Sequence, residues 1–140
     1  MTQTTDTSVE TVTALYDAFA RGDVATVIGA LDENVEWYEA EGNPWHPGRA
    51  FVGPQQVVEG VLARIAEDFE DFRVEPHKFI SNGETVAVEA RYRATSHRAT
   101  GKPLDAQVAH VWDVRDGKVV RFQQYVDTRQ LADVMGVAVI

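Results

Sequence analysis

The sequence predicts an α+β domain in which three helices of the N-terminal half pack against one curved antiparallel sheet. Three observations lead to this prediction. Apolar residues recur every three or four positions over much of residues 9–65, which is typical of amphipathic helices. From residue 72 onward they alternate with polar residues, as in half-buried strands. The dipeptides Asn82-Gly83 and Asp116-Gly117 then indicate tight hairpin turns.

The helices are predicted from apolar spacing and from residues that favour helix ends. Gly22 ends the first helix, and Asp23 can cap a second one that stops before Asp32-Glu33-Asn34. Pro54 suits the first turn of a third helix, which extends to Ile65. The apolar positions of the three helices are Val9, Val12, Leu15, Tyr16 and Phe19, then Val24, Val27, Ile28 and Leu31, then Val57, Val58, Val61, Leu62 and Ile65.

One strand precedes the third helix, and four strands follow it as a meander. The four are expected at residues 72–80, 84–95, 104–115 and 118–127, before a short helix at 128–135. Pro76 lies within the first of them. Proline cannot donate a hydrogen bond to a neighbouring strand, so this strand is expected at a sheet edge or to contain a bulge.

Length and composition fit a single domain. The 140 residues are 44% hydrophobic and 25% charged, and we expect residues 8–140 to form one domain after a disordered tail of residues 1–7. A net charge of −9 argues against binding to nucleic acid or to an anionic membrane. The chain has no cysteine, so disulfides and thiolate nucleophiles are excluded. The lack of a signal-peptide pattern and of any apolar stretch of about 18 residues predicts a soluble, cytoplasmic protein.

Residues 35–42 place a carboxylate beside the apolar positions of a strand. Alternation puts Val35, Trp37 and Glu39 on one face and Glu36 and Tyr38 on the other. If the first face is the interior, desolvation raises the pKa of Glu39 into the range useful for proton transfer. The alternative is that Glu39 lies just past the strand, in water.

The segment 42–53 predicts a long loop, because it holds three glycines and two prolines. Loops of this length are often functional, so Glu41 and His46 could reach a ligand. The four histidines of the chain lack metal-ligand spacing such as His-Glu-x-x-His, and we expect no metal site.

Six motifs carry a resemblance to a known family. They are Leu15-Tyr16-Asp17-Ala18-Phe19-Ala20-Arg21-Gly22-Asp23, Val35-Glu36-Trp37, Phe51-Val52-Gly53-Pro54, Ala109-His110-Val111-Trp112, Asp116-Gly117-Lys118-Val119-Val120 and Tyr125-Val126-Asp127. In these motifs the chain resembles the nuclear transport factor two-like superfamily, and within it the SnoaL-like group related to ketosteroid isomerase and limonene epoxide hydrolase. The resemblance implies a cone, formed by a bent sheet wrapped by three helices, with a deep apolar pocket for a small hydrophobic ligand and no cofactor. The superfamily includes isomerases, polyketide cyclases, hydrolases and proteins without activity, so the reaction is not specified.

The resemblance also implies roles for individual residues. Tyr16 is similar to the tyrosine that stabilises the enolate oxygen in ketosteroid isomerase. The general base corresponds to Glu39 or to Tyr38, and Glu39 is preferred because it shares the face of Trp37. Ala109 stands at the position of the protonated aspartate, which argues against steroid isomerase activity. Gln124 stands where the hydrolase and the cyclases carry an acid, so neither of their mechanisms transfers intact.

Several of these residues have a structural interpretation as well. Tyr16 can be a core residue with its hydroxyl at the pocket rim. Gln124 shares a strand face with Phe122 and Val126, where it binds a ligand or satisfies a buried backbone group. Arg91 fits a solvated strand face, and its orienting role rests on the epoxide hydrolase resemblance alone.

The strand that contains His110 has two faces to assign. His110 shares one with Val108 and Trp112, opposite Ala109 and Val111, and we assign the His110 face to the outside of the sheet. An exposed apolar stripe of this kind predicts a homodimer interface.

We therefore expect a cofactor-independent enzyme that transfers a proton on a small hydrophobic, carbonyl-type substrate. Glu39 is the expected base, with Tyr16 and Gln124 as hydrogen-bond donors to the substrate. The expected substrate-binding residues are Trp37, Phe122, Ala109, Val111, Arg91, Glu41 and His46. The alternatives are a dimeric ligand-binding domain without activity, and water addition to an epoxide by Glu39 or Glu41.

Overall fold

The computed structural model describes residues 7–137. Its helices are α1 (Thr7–Ala20), α2 (Val24–Ala30), α3 (Pro54–Val57), α4 (Ala63–Asp68) and α5 (Thr128–Met135), and a π-helical segment (Val58–Leu62) joins α3 to α4 in one continuous run. No helix in the described range is long and apolar enough to cross a membrane. Residues 1–6 of the expected N-terminal tail lie outside the described residues, and Thr7 begins α1.

Six strands form the main sheet, and two short strands form a separate ribbon. The strands are β1 (Leu31–Tyr38), β2 (Phe51–Val52), β3 (Phe69–Glu70), β4 (Arg73–Ser81), β5 (Thr85–Ala94), β6 (Ser96–His97), β7 (Leu104–Arg115) and β8 (Lys118–Val126). The order in the main sheet is β2-β1-β8-β7-β5-β4, and β3 pairs with β6. The predicted four-strand meander is confirmed as β4, β5, β7 and β8, each antiparallel to the next.

The strand β1 departs from the antiparallel pattern. It runs parallel to β8, with Trp37 opposite Phe122, and makes the sheet mixed. The register shifts between Leu31 and Glu36, so the three polar residues expected to end the second helix form an irregular start of the strand instead. Helices and the whole meander separate β1 from β8, so no hairpin signal in the sequence reports their pairing.

Local turn chemistry behaves as the residue types predict. The β7–β8 hairpin turns through Asp116 and Gly117, with φ of 51° and 73°, as a tight type I′ turn requires. Residues 82–84 form the β4–β5 connection, and the Asn82 side chain accepts hydrogen bonds from the backbone amides of Glu84 and Thr85. Pro76 lies on an edge strand and beside a register shift, which confirms both expectations for it.

The helices cover one face of the sheet, and the core lies between them. Along β7 every second residue from Leu104 to Val114 is buried, while the residues between them are half-exposed or exposed. His110 is therefore on the inner face, only 4% exposed, and Ala109 and Val111 are on the outer face. The sequence-based assignment of these faces was wrong, because both faces of this stretch are largely apolar and alternation does not say which one is inside.

Candidate functional site

An apolar cavity of about 60 Å³ lies between the helices and the inner face of the sheet. Most of its wall is aromatic: Tyr16, Phe19, Trp37, Phe72, Tyr92, Trp112 and Phe122 line it. A cavity needs about 15 Å³ of this kind of volume to hold one water molecule, so this cavity has room for only a few non-hydrogen atoms. Polar groups enter its lining through Tyr16, Tyr92 and His110.

A second groove, of about 340 Å³, adjoins this cavity. The two share the lining side chains of Phe19, Val27, Leu62, Ile65 and Phe72. Because the same apolar side chains line both spaces, their movement would join the cavity and the groove into a site of the size usual for small ligands.

His110 is held between two tyrosines. Its Nδ1 lies 2.6 Å from the Tyr16 hydroxyl, and its Nε2 lies 2.6 Å from the Tyr92 hydroxyl. The Tyr16 oxygen also accepts a hydrogen bond of 3.0 Å from the indole nitrogen of Trp112. Three neighbouring elements, α1, β5 and β7, therefore meet in one buried hydrogen-bonded group at the cavity wall.

Gln124 extends this group to the loop that follows β1. Its Nε2 donates to the Tyr92 hydroxyl at 2.9 Å. Its Oε1 accepts from the Ala40 backbone at 3.2 Å and from the Asn43 amide at 2.8 Å. The Gln124 side chain thus connects the loop to β8 and β5 by hydrogen bonds. Of the two roles expected from the sequence, ligand binding or satisfying a buried backbone group, these contacts correspond to the second.

Glu39 is buried just beyond the end of β1. Its side chain is 2% exposed, and burial raises the pKa of its carboxyl group to about 7. Within residues 7–137, its Oε2 and the indole nitrogens of Trp37 and Trp45 are the buried side-chain polar atoms without a hydrogen-bond partner. Tyr38 faces outward, where its hydroxyl donates to Glu36 at 2.7 Å. Of the two candidates for the base, Glu39 is the buried one.

Burial also changes the other titratable groups of the site. It lowers the pKa of His110 to about 3, so the imidazole is neutral at pH 7. It raises the pKa of Tyr16 well above the usual value. The pKa of Tyr92 is raised by burial first and then by the negative charge of Glu39. Both tyrosines are protonated hydrogen-bond donors at neutral pH.

Neither Glu39 nor Gln124 lines the cavity, and Glu39 lines a separate groove at the protein surface. The other predicted site residues, apart from Tyr16, Trp37 and Phe122, also lie away from the cavity. Arg91 is on the outer face, where its Nε is 2.7 Å from Asp105. Glu41 is exposed, and His46 accepts a hydrogen bond from the Gly48 backbone at the surface. The expected inward direction of Ala109 and Val111 was wrong, as described above. Trp37 and Phe122 do line the cavity, with ring centroids 3.8 Å apart.

Sequence reasoning missed several members of the site, among them His110, Tyr92 and Asn43. Alternation along β5 puts Tyr92 on the same face as Val88 and Ala90, all three buried, and that pattern could have identified Tyr92. Nothing in the local sequence of the loop distinguishes Asn43. Across the described residues no group of three or more His, Asp or Glu side chains could hold a metal ion.

Comparison with known proteins agrees with this architecture. The model of the SnoaL-like domain family matches residues 12–122. An NTF2-like protein from Burkholderia thailandensis is 30% identical, with 95% of this chain and 98% of that one covered and a TM-score of 0.85. TerC, co-crystallised with polyporic acid, is 26% identical, with 93% and 98% covered and a TM-score of 0.82.

A third structure resembles the chain in fold alone. It is a putative SnoaL-like polyketide cyclase from a Jannaschia species, 17% identical, with 99% of both chains covered and a TM-score of 0.82. No curated protein gave a significant match. The family match over most of the chain, with the cone of helices on a bent sheet, leads to one conclusion: the protein belongs to the SnoaL-like family.

Proposed function

We propose that the protein is a cofactor-independent enzyme that moves a proton on a small hydrophobic, carbonyl-type ligand. Glu39 is the general base, and Tyr16 donates a hydrogen bond to the carbonyl oxygen. One observation carries the proposal: a fully buried carboxyl group whose pKa is raised to about 7 and which has an oxygen without a partner in the described structure. A base with a pKa near the working pH is the most effective at proton transfer.

The chemistry follows from what the groups can donate and accept. Ionised Glu39 removes a proton from the carbon next to the carbonyl, and the electrons move onto the ligand oxygen. A hydrogen bond from Tyr16 stabilises the charge that develops there. The free indole N–H of Trp37 is a second donor in the same wall. Gln124 is assigned to holding the loop, since its amide already makes three hydrogen bonds.

The ligand must reach from the cavity to Glu39. Trp37 lines the cavity, and Glu39 lies two residues further along, a distance of about 7 Å in extended chain. We propose that the ligand enters from the adjoining groove and displaces the apolar side chains between groove and cavity. That TerC was co-crystallised with polyporic acid supports a small organic ligand for the related fold.

Deuterium exchange tests this function without knowledge of the natural substrate. Cyclohexanone is the probe, and NMR follows the replacement of its α-hydrogens in D₂O. The wild-type protein should accelerate exchange above the buffer rate, and the rate should rise with pH through about 7 as Glu39 ionises. Glu39→Gln should lower the protein-catalysed rate by about 100-fold or more.

The control is Glu33→Gln, which removes an exposed carboxylate of the same strand. It should exchange cyclohexanone at the wild-type rate. Full activity in Glu39→Gln would refute the assignment of the base. If cyclohexanone binds and no exchange occurs, the second candidate function, ligand binding without catalysis, replaces the first.

That second candidate has its own support. Gln124 cannot exchange protons and is committed to the loop, and Ala109 lies on the outer face, so the acids of related enzymes are missing. Epoxide hydration is the weaker alternative, and of its two possible carboxylates only Glu39 is buried.

A homodimer stays part of the proposal, but its expected surface changes. The stripe of Val108, His110 and Trp112 is buried in the core and cannot form an interface. The outer face instead presents Val111 and Tyr125, the latter 59% exposed. We propose that copies associate through this face, and sedimentation of Tyr125→Glu against wild type would test it.

A further inference from the structure

The hydrogen bonds around His110 leave one hydroxyl proton without an acceptor. The Tyr16 oxygen accepts the indole N–H of Trp112, and the Tyr92 oxygen accepts an amide N–H of Gln124. Both contacts of the imidazole are with phenols, and the neutral ring has one N–H and one acceptor nitrogen. The ring and the two phenols therefore hold three protons, whereas the two contacts between them use only two.

The tautomer of His110 determines which tyrosine keeps the third proton. If Nδ1 carries the imidazole proton, it donates to Tyr16, Tyr92 donates to Nε2, and the Tyr16 hydroxyl proton is free. If Nε2 carries it, His110 donates to Tyr92, Tyr16 donates to Nδ1, and the Tyr92 hydroxyl proton is free. Each arrangement makes the same four hydrogen bonds, so their number favours neither.

The free proton lies at the wall of the apolar cavity, because Tyr16, Tyr92 and His110 all line it. Apart from these three, the lining side chains are hydrocarbons and the two indoles of Trp37 and Trp112. A buried donor without an acceptor is costly, so a ligand oxygen in the cavity gains by accepting the free hydroxyl proton. A phenol that donates to the ligand cannot donate to His110 as well, and the ligand therefore selects the tautomer.

We propose that His110 is a positioning residue of the ligand site, whose change of tautomer lets either Tyr16 or Tyr92 donate a hydrogen bond to a ligand oxygen in the cavity. The ligand class that fits is a small apolar molecule with an oxygen that accepts and need not donate, as in a ketone. This deepens the proposed function and takes its catalytic meaning from it. Since that function makes Tyr16 the donor, a bound ketone requires the Nδ1–H tautomer.

Water balances the protons when the tautomer changes. From the Nδ1–H to the Nε2–H form, the Tyr92 hydroxyl proton moves to Nε2 and the Nδ1 proton moves to the Tyr16 oxygen. The former Tyr16 proton leaves to water, and Tyr92 takes one proton from water. The three side chains hold three protons before and after, and no group becomes charged.

The experiment compares two small probes of the same shape. The cavity of about 60 Å³ holds roughly four water-sized groups, which matches the size of acetone. Isobutene has a CH₂ group in place of the acetone oxygen and cannot accept a hydrogen bond. Nitrogen-15 NMR distinguishes the protonated from the unprotonated ring nitrogen of His110. Acetone should shift the imidazole proton towards Nδ1, whereas isobutene should leave the tautomer populations of the ligand-free protein unchanged.

Two variants should respond to acetone in opposite directions. In Tyr16→Phe, acetone can take the phenol proton only from Tyr92, so the imidazole proton should be on Nε2. In Tyr92→Phe, acetone can take it only from Tyr16, so the imidazole proton should be on Nδ1. Tyr38→Phe is the matched control, because the Tyr38 hydroxyl faces outward and donates to Glu36, and this variant should respond as the wild type does.

Several results would overturn the inference: no binding of acetone, unchanged tautomer populations with acetone bound, the same change with isobutene, or the same tautomer in both acetone-bound variants. If a variant does not fold, the comparison of acetone with isobutene in the wild type decides alone. A wild-type shift towards Nε2 would support the inference with Tyr92 as the donor, and would refute the role of Tyr16 in the proposed function. Failure of the cyclohexanone assay would leave the tautomer result standing, since the NMR measurement needs no turnover.

Discussion

Glutamine in place of Glu39 should alter the stability of the protein by an amount that depends on pH. The pKa of the Glu39 carboxyl group is about 7 in the folded protein, against an ordinary value of 4.5 for a glutamate side chain. Because folding raises this pKa, the folded state holds the proton more tightly than the unfolded state. The contribution to stability is fully present below pH 4.5 and is lost as the pH rises through 7.

The magnitude follows from the gap between the two pKa values. At about 1.4 kcal/mol per pH unit, the wild type should lose about 3 kcal/mol of unfolding free energy through this group. Glutamine has nearly the same shape and cannot ionise, so Glu39→Gln does not lose this unfolding free energy as the pH rises. The stability of Glu39→Gln minus that of the wild type should therefore be about 3 kcal/mol larger at about pH 8.5 than at about pH 4.5. This difference corresponds to about 10 °C in Tm.

Urea unfolding of both proteins at the two pH values measures this quantity. Comparing the two pH values removes any pH-independent cost of burying the amide. Glu33→Gln is the matched control, because its carboxylate is exposed on the same strand, and its stability relative to wild type should be the same at both pH values. If Glu39→Gln behaves like this control, the carboxyl of Glu39 is solvated and the reasoning about the base fails.

Three further substitutions test the packing of the site by urea unfolding. Gln124→Leu removes three buried hydrogen bonds and should cost about 2–4 kcal/mol, whereas a loss below about 0.5 kcal/mol would mean that the loop is held by other contacts. Gly60→Ala places a methyl group 2.2 Å from the Phe51 ring and should cost about 1–3 kcal/mol, and a neutral result would show that the ring moves freely. Phe122→Ala removes a fully buried ring stacked on Trp37 and should cost about 3–5 kcal/mol, and a smaller loss would indicate that the cavity collapses.

Elements with local signals were predictable from the sequence. The strand at residues 104–115 and the helix at 128–135 have the expected bounds. The helix begins where the Asp127 side chain caps it and ends at Gly136, whose φ is 73°. The parallel pairing of β1 with β8 was not predictable, because it depends on contacts between distant parts of the chain. The π-helical segment had no sequence signal either.

The sequence predicted which strand face Glu39 shares, but it did not predict that His110 belongs to the site. Alternation placed Glu39 on the face of Trp37, and both side chains are buried. The same rule placed His110 opposite Ala109 but could not say which of the two faces the core. A histidine suggests the surface on average, whereas here two phenols satisfy both of its nitrogens inside the protein. Such a partnership across 94 residues of sequence is visible only in three dimensions.

The parallel contact between β1 and β8 also has a consequence for the order of folding. The hairpins of the meander join neighbouring residues and can form early, whereas the bond from Ala40 to Gln124 spans 84 residues. Contacts between distant residues form slowly, since long stretches of chain must first be brought together. We therefore expect the carboxyl of Glu39 to stay in water, with the pKa of an unfolded chain, until β1 docks. Its rise towards 7 during refolding would mark the moment at which the last part of the cone closes.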